Sequence, residues 1–273
     1  MIKLMVNGLP GKMATKVIEH INARSDVTLS PFSFTGPEVN IDHVSIKEMR
    51  YSLVPPTERG KCIVLIKEYL GQFLVVDFTR PSAVKSNAEF YCQHELPFVM
   101  GTTGGDREAL EQTVKNSNIV AVIAPNMAKQ IVTFQAMMEY AATAFSGAFK
   151  DYALEIVETH QQGKADTSGT AKAMVKHFNK LGIPFSPEQI IMVRNPDEQR
   201  IMGVPEEHLG GHGWHTYGLR SPDGTVFFQF THNINGRDVY AAGTLDALRF
   251  LQQKVDAGEK GKVYSMIDVL KGV

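Results

Sequence analysis

Short apolar runs and segments of helical periodicity alternate through the first half of the chain. Runs that are apolar at almost every position predict strands buried on both faces, whereas apolar residues spaced three or four apart predict helices. Their alternation predicts a parallel sheet covered by helices. The predicted strands are residues 2–7, 27–34, 73–78, 97–100 and 119–124, and the first predicted helix is residues 12–23.

The pattern changes after Asn126, where longer and partly alternating strands follow a predicted helix. Pro222-Asp223-Gly224 predicts a turn that joins the last two of these strands in an antiparallel hairpin. The predicted strands are residues 152–158, 189–194, 214–220 and 226–232, and the predicted helices are residues 129–145, 168–181 and 239–255.

These two patterns predict an α/β protein of two domains. We expect a Rossmann-type, parallel-sheet nucleotide domain at residues 1–126 plus 239–273. We expect a second, α+β domain with a mixed, largely open sheet at residues 127–238, and we assign substrate binding and oligomerisation to it.

Composition narrows the class of protein. The 28 Lys and Arg residues balance 29 Asp and Glu residues, which is unlike the basic footprint of a nucleic-acid binder. No apolar run is long enough to span a membrane. The two cysteines, Cys62 and Cys92, do not form a disulfide framework and fit a reducing compartment. We therefore predict a soluble intracellular protein with neither nucleic-acid nor membrane partners.

A glycine turn lies between the first strand and the first helix. Gly8 and Gly11 precede Lys12 and Met13, and glycines there let the backbone approach a pyrophosphate that rests on the helix N-terminus. One glycine of the usual G-x-G-x-x-G is missing and Pro10 intrudes. We predict a nicotinamide dinucleotide site here, and the alternative is a tight turn without a ligand.

The end of the second predicted strand bears on the choice of cofactor. Residues 29–36 contain hydroxyls but no carboxylate to bind a ribose 2′-hydroxyl. Ser33 and Thr35 could instead accept a 2′-phosphate, which favours NADPH or tolerance of both NADPH and NADH. The alternative is that these two residues only make a turn.

Two further turns follow predicted strands, where ligands of open α/β sheets bind. They contain Asp77, Phe78 and Thr79, and Gly101, Thr102 and Thr103. Their amides and hydroxyls suit a nicotinamide carboxamide, although each turn alone is as consistent with a structural role.

Residues 158–171 carry the chemistry expected of the second domain. His160 and Lys164 lie four residues apart, and Ser168-Gly169-Thr170 opens a helix whose N-terminus favours an anion. We expect the imidazole to have a pKa near neutral and to suit a general acid. Each residue alone is more often structural, but their clustering predicts a site that holds a small dicarboxylate and protonates it.

Three more histidines, His208, His212 and His215, lie in a glycine-rich segment. Their spacing matches no strong zinc pattern, and neither cysteines nor clustered carboxylates join them. We predict no metal, and we expect a loop near the substrate site with His215 facing the substrate.

These motifs resemble those of dihydrodipicolinate reductase over nearly the whole chain. Residues 158–171 are similar to the family signature E-x-H-H-x-x-K-x-D-x-P-S-G-T-A, and the N-terminal turn resembles G-x-x-G-x-M-G with Ala14 in the last position. Gln161 replaces the second histidine of the signature, and one loop residue is missing. Together with Pro125-Asn126-Met127, these departures look like the plant-type branch.

The resemblance implies NAD(P)H-dependent reduction of 4-hydroxy-tetrahydrodipicolinate in lysine biosynthesis. It implies proton donation or anion stabilisation by His160, with Lys164 sharing that role or binding a carboxylate. It implies substrate contacts from Gln161, Ser168, Gly169 and Thr170, and cofactor contacts from Pro125, Asn126 and Met127.

The resemblance also implies a homodimer or homotetramer, in the cytoplasm of a bacterium or in the plastid stroma of a plant. Two other functions stay open. One is a different nicotinamide-dependent enzyme of similar build, such as an amino-acid or homoserine dehydrogenase, and the other is a non-catalytic NADPH-binding regulator.

Overall fold

A computed structural model describes residues 1–22 and 24–273, which divide into two compact units. Unit 1 comprises Met1–Lys129 and Asp238–Val273, and unit 2 comprises Gln130–Arg237. Within the described residues, every helix is too short or too polar to cross a membrane.

The strands of unit 1 are β1 (Ile2–Asn7), β2 (Val27–Leu29), β3 (Phe32–Phe34), β4 (His43–Ile46), β5 (Met49–Val54), β6 (Leu74–Asp77), β7 (Phe98–Met100), β8 (Val120–Ile123) and β13 (Lys262–Tyr264). Six of them form a sheet of order β13-β8-β7-β6-β1-β2, in which all neighbouring strands are parallel. The helices of unit 1 are α1 (Lys12–Ile21), α2 (Arg59–Leu70), α3 (Val84–Gln93), α4 (Arg107–Lys115), α8 (Asp238–Asp256) and α9 (Met266–Lys271), and α5 (Lys129–Ala144) begins at its last residue.

Burial explains the continuous apolar runs of this sheet. All residues of β6, β7 and β8 are buried, as expected of parallel strands covered on both faces. Helix α1 contributes a stripe of buried apolar residues spaced three or four apart, namely Ala14, Val17, Ile18 and Ile21. The predicted parallel-sheet domain is confirmed.

The prediction of one strand over residues 27–34 is wrong. The segment breaks at Ser30 and Pro31, so that β2 pairs with β1 while β3 joins a separate three-stranded sheet of order β3-β5-β4. Pro31 has no N–H to continue a ladder, and its carbonyl accepts from Ser52 of the small sheet. The short strands β4, β5 and β13 were not predicted. Helix α1 ends at Ile21, and residue 23 of the predicted helix lies outside the described residues.

Unit 2 carries a four-stranded mixed sheet of order β10-β9-β11-β12. Its elements are β9 (Ala153–His160), α6 (Gly169–Lys180), β10 (Ile191–Val193), α7 (Pro196–Ile201), β11 (His212–Arg220) and β12 (Phe227–Asn235), after the helix α5. Strands β11 and β12 form the predicted antiparallel hairpin, whereas β10 is parallel to β9. Strand β9 runs two residues beyond the predicted end, so His160 is the last residue of a strand.

One face of this sheet packs on helix α6. Met174 and Phe178 of α6 are fully buried against Ile156 of β9 and Tyr217 of β11. Ser168 caps the helix by accepting a hydrogen bond from the Thr170 N–H at 3.2 Å. The start of α6 is thereby held at the end of the loop that follows β9.

Candidate active site

The glycine turn of unit 1 has no room for a side chain at Gly8. Gly8 has a φ of +103°, which L side chains rarely adopt, and a Cβ there would lie 2.5 Å from the Phe78 carbonyl oxygen. The Gly11 N–H donates to the Gly8 carbonyl at 2.8 Å and closes the turn before α1. Such a cradle at a helix N-terminus fits the diphosphate of a dinucleotide.

Ser33 and Thr35 brace this turn through Leu9. The Thr35 hydroxyl donates to the Leu9 carbonyl at 2.8 Å, and the Leu9 N–H donates to the Ser33 hydroxyl oxygen at 3.3 Å. Both residues are buried. Both hydroxyls are therefore engaged within the turn, which is the arrangement that the structural alternative predicts.

Asp77 is the centre of a buried hydrogen-bond network under the next turn. Its carboxylate, fully buried, accepts from the Tyr91 hydroxyl at 2.7 Å and from the Asn87 amide at 2.8 Å. It also accepts from the Thr79 N–H at 2.9 Å and from the Thr102 hydroxyl at 3.1 Å. Burial and the charge of Asp77 raise the pKa of Tyr91, so the phenol remains a donor. The hydrogen bonds to Asp77 therefore hold the turns after β6 and β7 in place.

A cavity of about 560 Å³ opens beside the glycine turn and is lined by residues of unit 1 alone. Gly8 and Gly11 are among its lining residues, and the charged residues of the lining are Glu38, Arg59 and Arg80. Arg80 pairs with Glu38 at 2.7 Å. Residues 29–36 contain no carboxylate, but Glu38, four residues beyond the predicted strand end at Phe34, folds back over Gly36 and brings a carboxylate to the cavity.

The other predicted cofactor residues lie near the carboxyl ends of adjacent parallel strands. They are Phe78 and Thr79 after β6, Gly101, Thr102 and Thr103 after β7, Pro125, Asn126 and Met127 after β8, and Lys12 and Met13 at the start of α1. The structure thus brings these turns to one edge of the sheet. Met127 is buried and its carbonyl packs against Gly243 of α8, which leaves Pro125 and Asn126 as the more accessible residues of their turn.

In unit 2, one sheet face carries a carboxylate and three imidazoles. Glu158 is opposite His215 across β9 and β11, and His215 is opposite His232 across β11 and β12. His160 follows Glu158 by two residues and shares its face. The ring centroids of His160 and His215 are 5.1 Å apart, and those of His215 and His232 are 4.7 Å apart.

Glu158 joins this face to the start of helix α6. It is fully buried, and its two oxygens accept from Arg194 at 2.5 Å and from the Ser168 N–H at 2.9 Å. The buried carboxylate therefore holds two residues in place: Arg194, which follows β10, and Ser168, which caps α6.

Lys164 lies in the loop between β9 and α6. Its ammonium donates to Asp166 at 2.6 Å, and the pair lowers the pKa of Asp166. Arg194 donates to the Lys164 carbonyl at 2.8 Å, and the Lys164 N–H donates to the Gln161 carbonyl at 2.9 Å. The backbone holds this loop, and the Lys164 ammonium is near enough for its charge to lower the pKa of His160.

His160 differs from the sequence expectation in its protonation. Burial, followed by the positive charges of Arg194 and Lys164, lowers the pKa of His160 to about 3. The expected near-neutral pKa is therefore wrong, and the ring is a neutral imidazole at pH 7. Gln199, fully buried, donates to the His160 carbonyl at 2.7 Å and holds the end of β9.

His215 and His232 are neutral as well. Burial lowers the pKa of His215 well below its ordinary value and that of His232 to about 4. Ligand atoms of Glu158, His160 and His215 lie within 4.8 Å of one another, a grouping that the sequence spacing does not reveal. Both oxygens of Glu158 already accept hydrogen bonds, and the adjacent Arg194 disfavours a second cation. We therefore assign no metal to this group.

His212 lies on the opposite face of β11. Its ring nitrogens pair with the Thr159 hydroxyl and the His208 carbonyl, each at 3.0 Å. Of the three histidines in the glycine-rich segment, His215 alone lies on the face of Glu158 and His160.

The neutral histidines predict a pH dependence of stability. When folding lowers the pKa of a histidine, the unfolded state binds more protons than the folded state once the pH falls below about 6.5. The stability that the neutral ring contributes is therefore complete above that pH and is lost as the pH falls toward the folded pKa. For His215, whose pKa burial lowers well below 6.5, we expect the free energy of unfolding to decrease as the pH falls from about 7.5 to about 5.

Urea unfolding of His215→Asn at both pH values measures this contribution, because the variant should lose that part of the pH dependence. The exposed His43 gives the control variant His43→Asn, which should keep the full dependence of the unmodified protein. An unchanged pH dependence in His215→Asn would contradict a neutral buried ring.

Arg194, Gln199 and His232 join the site without a sequence motif to mark them. The available signal for Arg194 was Glu158, because a carboxylate buried within a strand requires a cation or several donors. Gln199 and His232 reach the site only through strand pairing and helix α7, which short sequence patterns do not encode.

Comparison with known proteins identifies the family to which this chain belongs. The family model described as Dihydrodipicolinate reductase, N-terminus matches residues 2–127, and that described as Dihydrodipicolinate reductase, C-terminus matches residues 130–270. The chain is 46% identical over 269 residues to probable 4-hydroxy-tetrahydrodipicolinate reductase 1, chloroplastic, of Oryza sativa subsp. japonica, covering 98% of this chain and 78% of that protein. It is 46% identical over 271 residues to 4-hydroxy-tetrahydrodipicolinate reductase 2, chloroplastic, of Arabidopsis thaliana, covering 99% and 77%.

A bacterial relative, 4-hydroxy-tetrahydrodipicolinate reductase of Herminiimonas arsenicoxydans, is 29% identical and covers 98% of both chains. The solved structure of dipicolinate-bound dihydrodipicolinate reductase from Paenisporosarcina sp. TG-14 aligns with a TM-score of 0.65, 19% identity and 97% coverage of both chains. That likeness concerns the fold. With family models that together match most of both units, and with plant relatives over nearly its full length, the chain belongs to the dihydrodipicolinate reductase family.

Proposed function

We propose that this protein is an oxidoreductase that reduces 4-hydroxy-tetrahydrodipicolinate to tetrahydrodipicolinate with NAD(P)H, in the diaminopimelate route to lysine. The names of the plant relatives state the same substrate for those proteins. The observation that carries the proposal is the grouping in unit 2 of Lys164, a neutral His160 and the capped N-terminus of α6.

This grouping suits a small dicarboxylate. The Lys164 ammonium supplies a positive charge, and the first turn of α6 presents backbone N–H groups and a positive dipole end from Ser168, Gly169 and Thr170. Gln161, half-buried at the start of the loop, adds an amide that can donate to a carboxylate. We assign one carboxylate to the Lys164 side and the other to the start of α6.

The charge states divide the roles of the two proposed catalytic residues. Conversion of the hydroxylated ring to tetrahydrodipicolinate requires loss of the 4-hydroxyl as water. When bound, the cofactor would supply a hydride to the dehydrated ring, and a proton must reach the neighbouring carbon. With its pKa lowered to about 3, His160 is a neutral ring at pH 7. We therefore propose that Lys164 Nζ donates the proton. The neutral His160 ring would donate a hydrogen bond to the substrate.

The cofactor residues follow from the cradle and the cavity of unit 1. Gly8, Gly11, Lys12 and Met13 would hold the diphosphate at the start of α1, and the turns after β6, β7 and β8 would hold the nicotinamide side. Two guanidinium groups face one carboxylate in the cavity lining. This excess positive charge favours NADPH over NADH, with NADH still accepted.

We propose self-association through the sheet of unit 2. Phe227 and Phe228 at the start of β12 are 51% and 44% exposed, and β12 is the edge strand of the sheet. A homodimer or homotetramer would cover them, and sedimentation velocity distinguishes these states from a monomer.

The relatives named chloroplastic support a plastid compartment for a plant chain. For a bacterial chain we propose the cytoplasm.

A coupled assay tests the function. The substrate is generated in situ from pyruvate and aspartate semialdehyde by the preceding synthase, and oxidation of NADPH and NADH is followed separately. We expect synthase-dependent oxidation, faster with NADPH at low cofactor concentration. Oxidation of neither cofactor by a folded protein that still binds NADPH would support a non-catalytic regulator, and oxidation with another substrate alone would support a different two-domain reductase.

A further inference from the structure

The geometry points to Arg59 as the residue that binds the 2′-phosphate of NADPH, an inference that rests on the proposed use of NAD(P)H. Arg59 is the first residue of α2 and is only 7% exposed. It nevertheless lines the cavity beside the glycine turn. A buried guanidinium at the wall of a ligand cavity requires an explanation, because burying a charge is costly unless it is paired.

The partners of Arg59 are neutral. One Nη donates to the Asn87 side-chain oxygen at 2.6 Å, and the other donates to the Thr35 carbonyl at 3.2 Å. The Nε is buried and makes no hydrogen bond, and the guanidinium lies 5.5 Å from the centre of the Phe34 ring. Among residues 1–22 and 24–273, no carboxylate forms an ion pair with Arg59. The buried charge is thus oriented without direct contact to a carboxylate of the described residues, and its link to the buried Asp77 runs through the Asn87 amide, which donates to Asp77 at 2.8 Å.

Arg80, the other guanidinium of the cavity, is the natural comparison. It is paired with Glu38 at 2.7 Å, and its side chain is 67% exposed. Its charge is therefore already balanced and largely solvated, so an incoming anion gains less from it. Arg59, by contrast, offers a dehydrated cation whose planar fork matches a phosphate.

The position of Arg59 selects the 2′-phosphate among the anionic groups of the cofactor. The diphosphate belongs to the Gly8–Gly11 turn at the start of α1, whereas the residues after the second strand of such folds face the adenosine ribose. Thr35, whose carbonyl accepts from Arg59, lies 24 residues after Gly11, near the spacing of about 20 residues at which the ribose-binding residue of such folds occurs. The N-terminus of the 12-residue helix α2 adds its positive dipole end at the same place.

Equilibrium binding, followed by cofactor fluorescence and by calorimetry, tests this assignment without turnover. For Arg59→Met we expect the dissociation constant of NADPH to rise about 10- to 100-fold, while that of NADH changes by no more than about twofold. The same variant should lose affinity for 2′,5′-ADP and keep its affinity for ADP. Arg59→Lys retains the charge without the fork and should show a smaller selective loss.

Several outcomes would overturn the assignment. Equal weakening of NADPH and NADH would place Arg59 at the diphosphate or in a purely structural role, and unchanged binding would remove it from the site. Loss of the NADPH preference in Arg80→Met but not in Arg59→Met would assign the phosphate to Arg80. Circular dichroism and thermal melting establish whether Arg59→Met is folded, and Arg59→Lys carries the test if it is not.

The proposal and the proposed function fail in different ways. If Arg59→Met binds NADPH more weakly but NADH unchanged, while the unmodified protein does not oxidise NADPH in the coupled assay, the Arg59 assignment stands and the reductase function fails. If the unmodified protein oxidises NADPH and Arg59→Met binds both cofactors unchanged, the reductase function stands and the Arg59 assignment fails.

Discussion

Replacing Lys164 with alanine is expected to lower kcat by about 10²- to 10⁴-fold, the usual range for removal of a positioned proton donor. The affinity for NADPH should stay within about twofold, because Lys164 belongs to unit 2 and the cofactor cradle belongs to unit 1. The neutral ring of His160 cannot replace the lost proton at pH 7, since its pKa lies near 3.

The coupled assay measures kcat, and fluorescence titration measures NADPH binding in the same preparation. Lys176→Ala is the matched control, because Lys176 is an exposed lysine on α6 outside the proposed site. His160→Asn, which removes the imidazole but keeps a hydrogen-bond donor, should reduce kcat less than Lys164→Ala. Equal losses of turnover and cofactor affinity in Lys164→Ala would contradict the assigned role.

Replacing Glu158 with glutamine is expected to lower the free energy of unfolding by about 3 kcal/mol, the lower end of the range for breaking a buried ion pair. Glu158 is fully buried, and Arg194 retains 16% side-chain exposure, so water relieves part of the unpaired charge that the variant leaves. The substitution also weakens the acceptor for the Ser168 N–H. We expect turnover to fall as well, because the carboxylate accepts from the Ser168 cap of α6 and from Arg194, which in turn holds the Lys164 loop.

Urea unfolding of Glu158→Gln measures the loss, and Glu155→Gln is the control, since Glu155 is exposed on the same strand. The double variant with Arg194→Met should recover part of the stability, because it no longer buries an unpaired guanidinium. Additive losses in the double variant would show that the two residues act separately and would refute the shared-pair account.

The site depended on local and on long-range information to different extents. The glycine turn, the cap at Ser168 and the pair His160 and Lys164 are short patterns whose chemistry depends on neighbouring residues. Their roles as site residues remain predictions. The pKa of His160 was mispredicted because desolvation and the charge of Arg194, distant in sequence, decide it.

The sequence by itself determined the elements that rest on local periodicity and turn chemistry. These are the parallel strands β1, β6, β7 and β8, the helix α1, the hairpin at Pro222-Asp223-Gly224 and the division into a parallel and a mixed sheet. Side-chain burial follows a fixed period along a strand or helix, so these features can be predicted from neighbours in the chain.

The tertiary structure alone decided which distant residues meet. It separated β3 from β2 at Pro31, paired Glu158 with Arg194, and placed Arg59 at the cavity wall without direct contact to a carboxylate of the described residues. Each of these depends on strand pairing or helix packing between segments at least 20 residues apart, where loop closure and burial outweigh local propensity. The charges of the site are set by those contacts, because desolvation and partner distance exist only once the chain has folded.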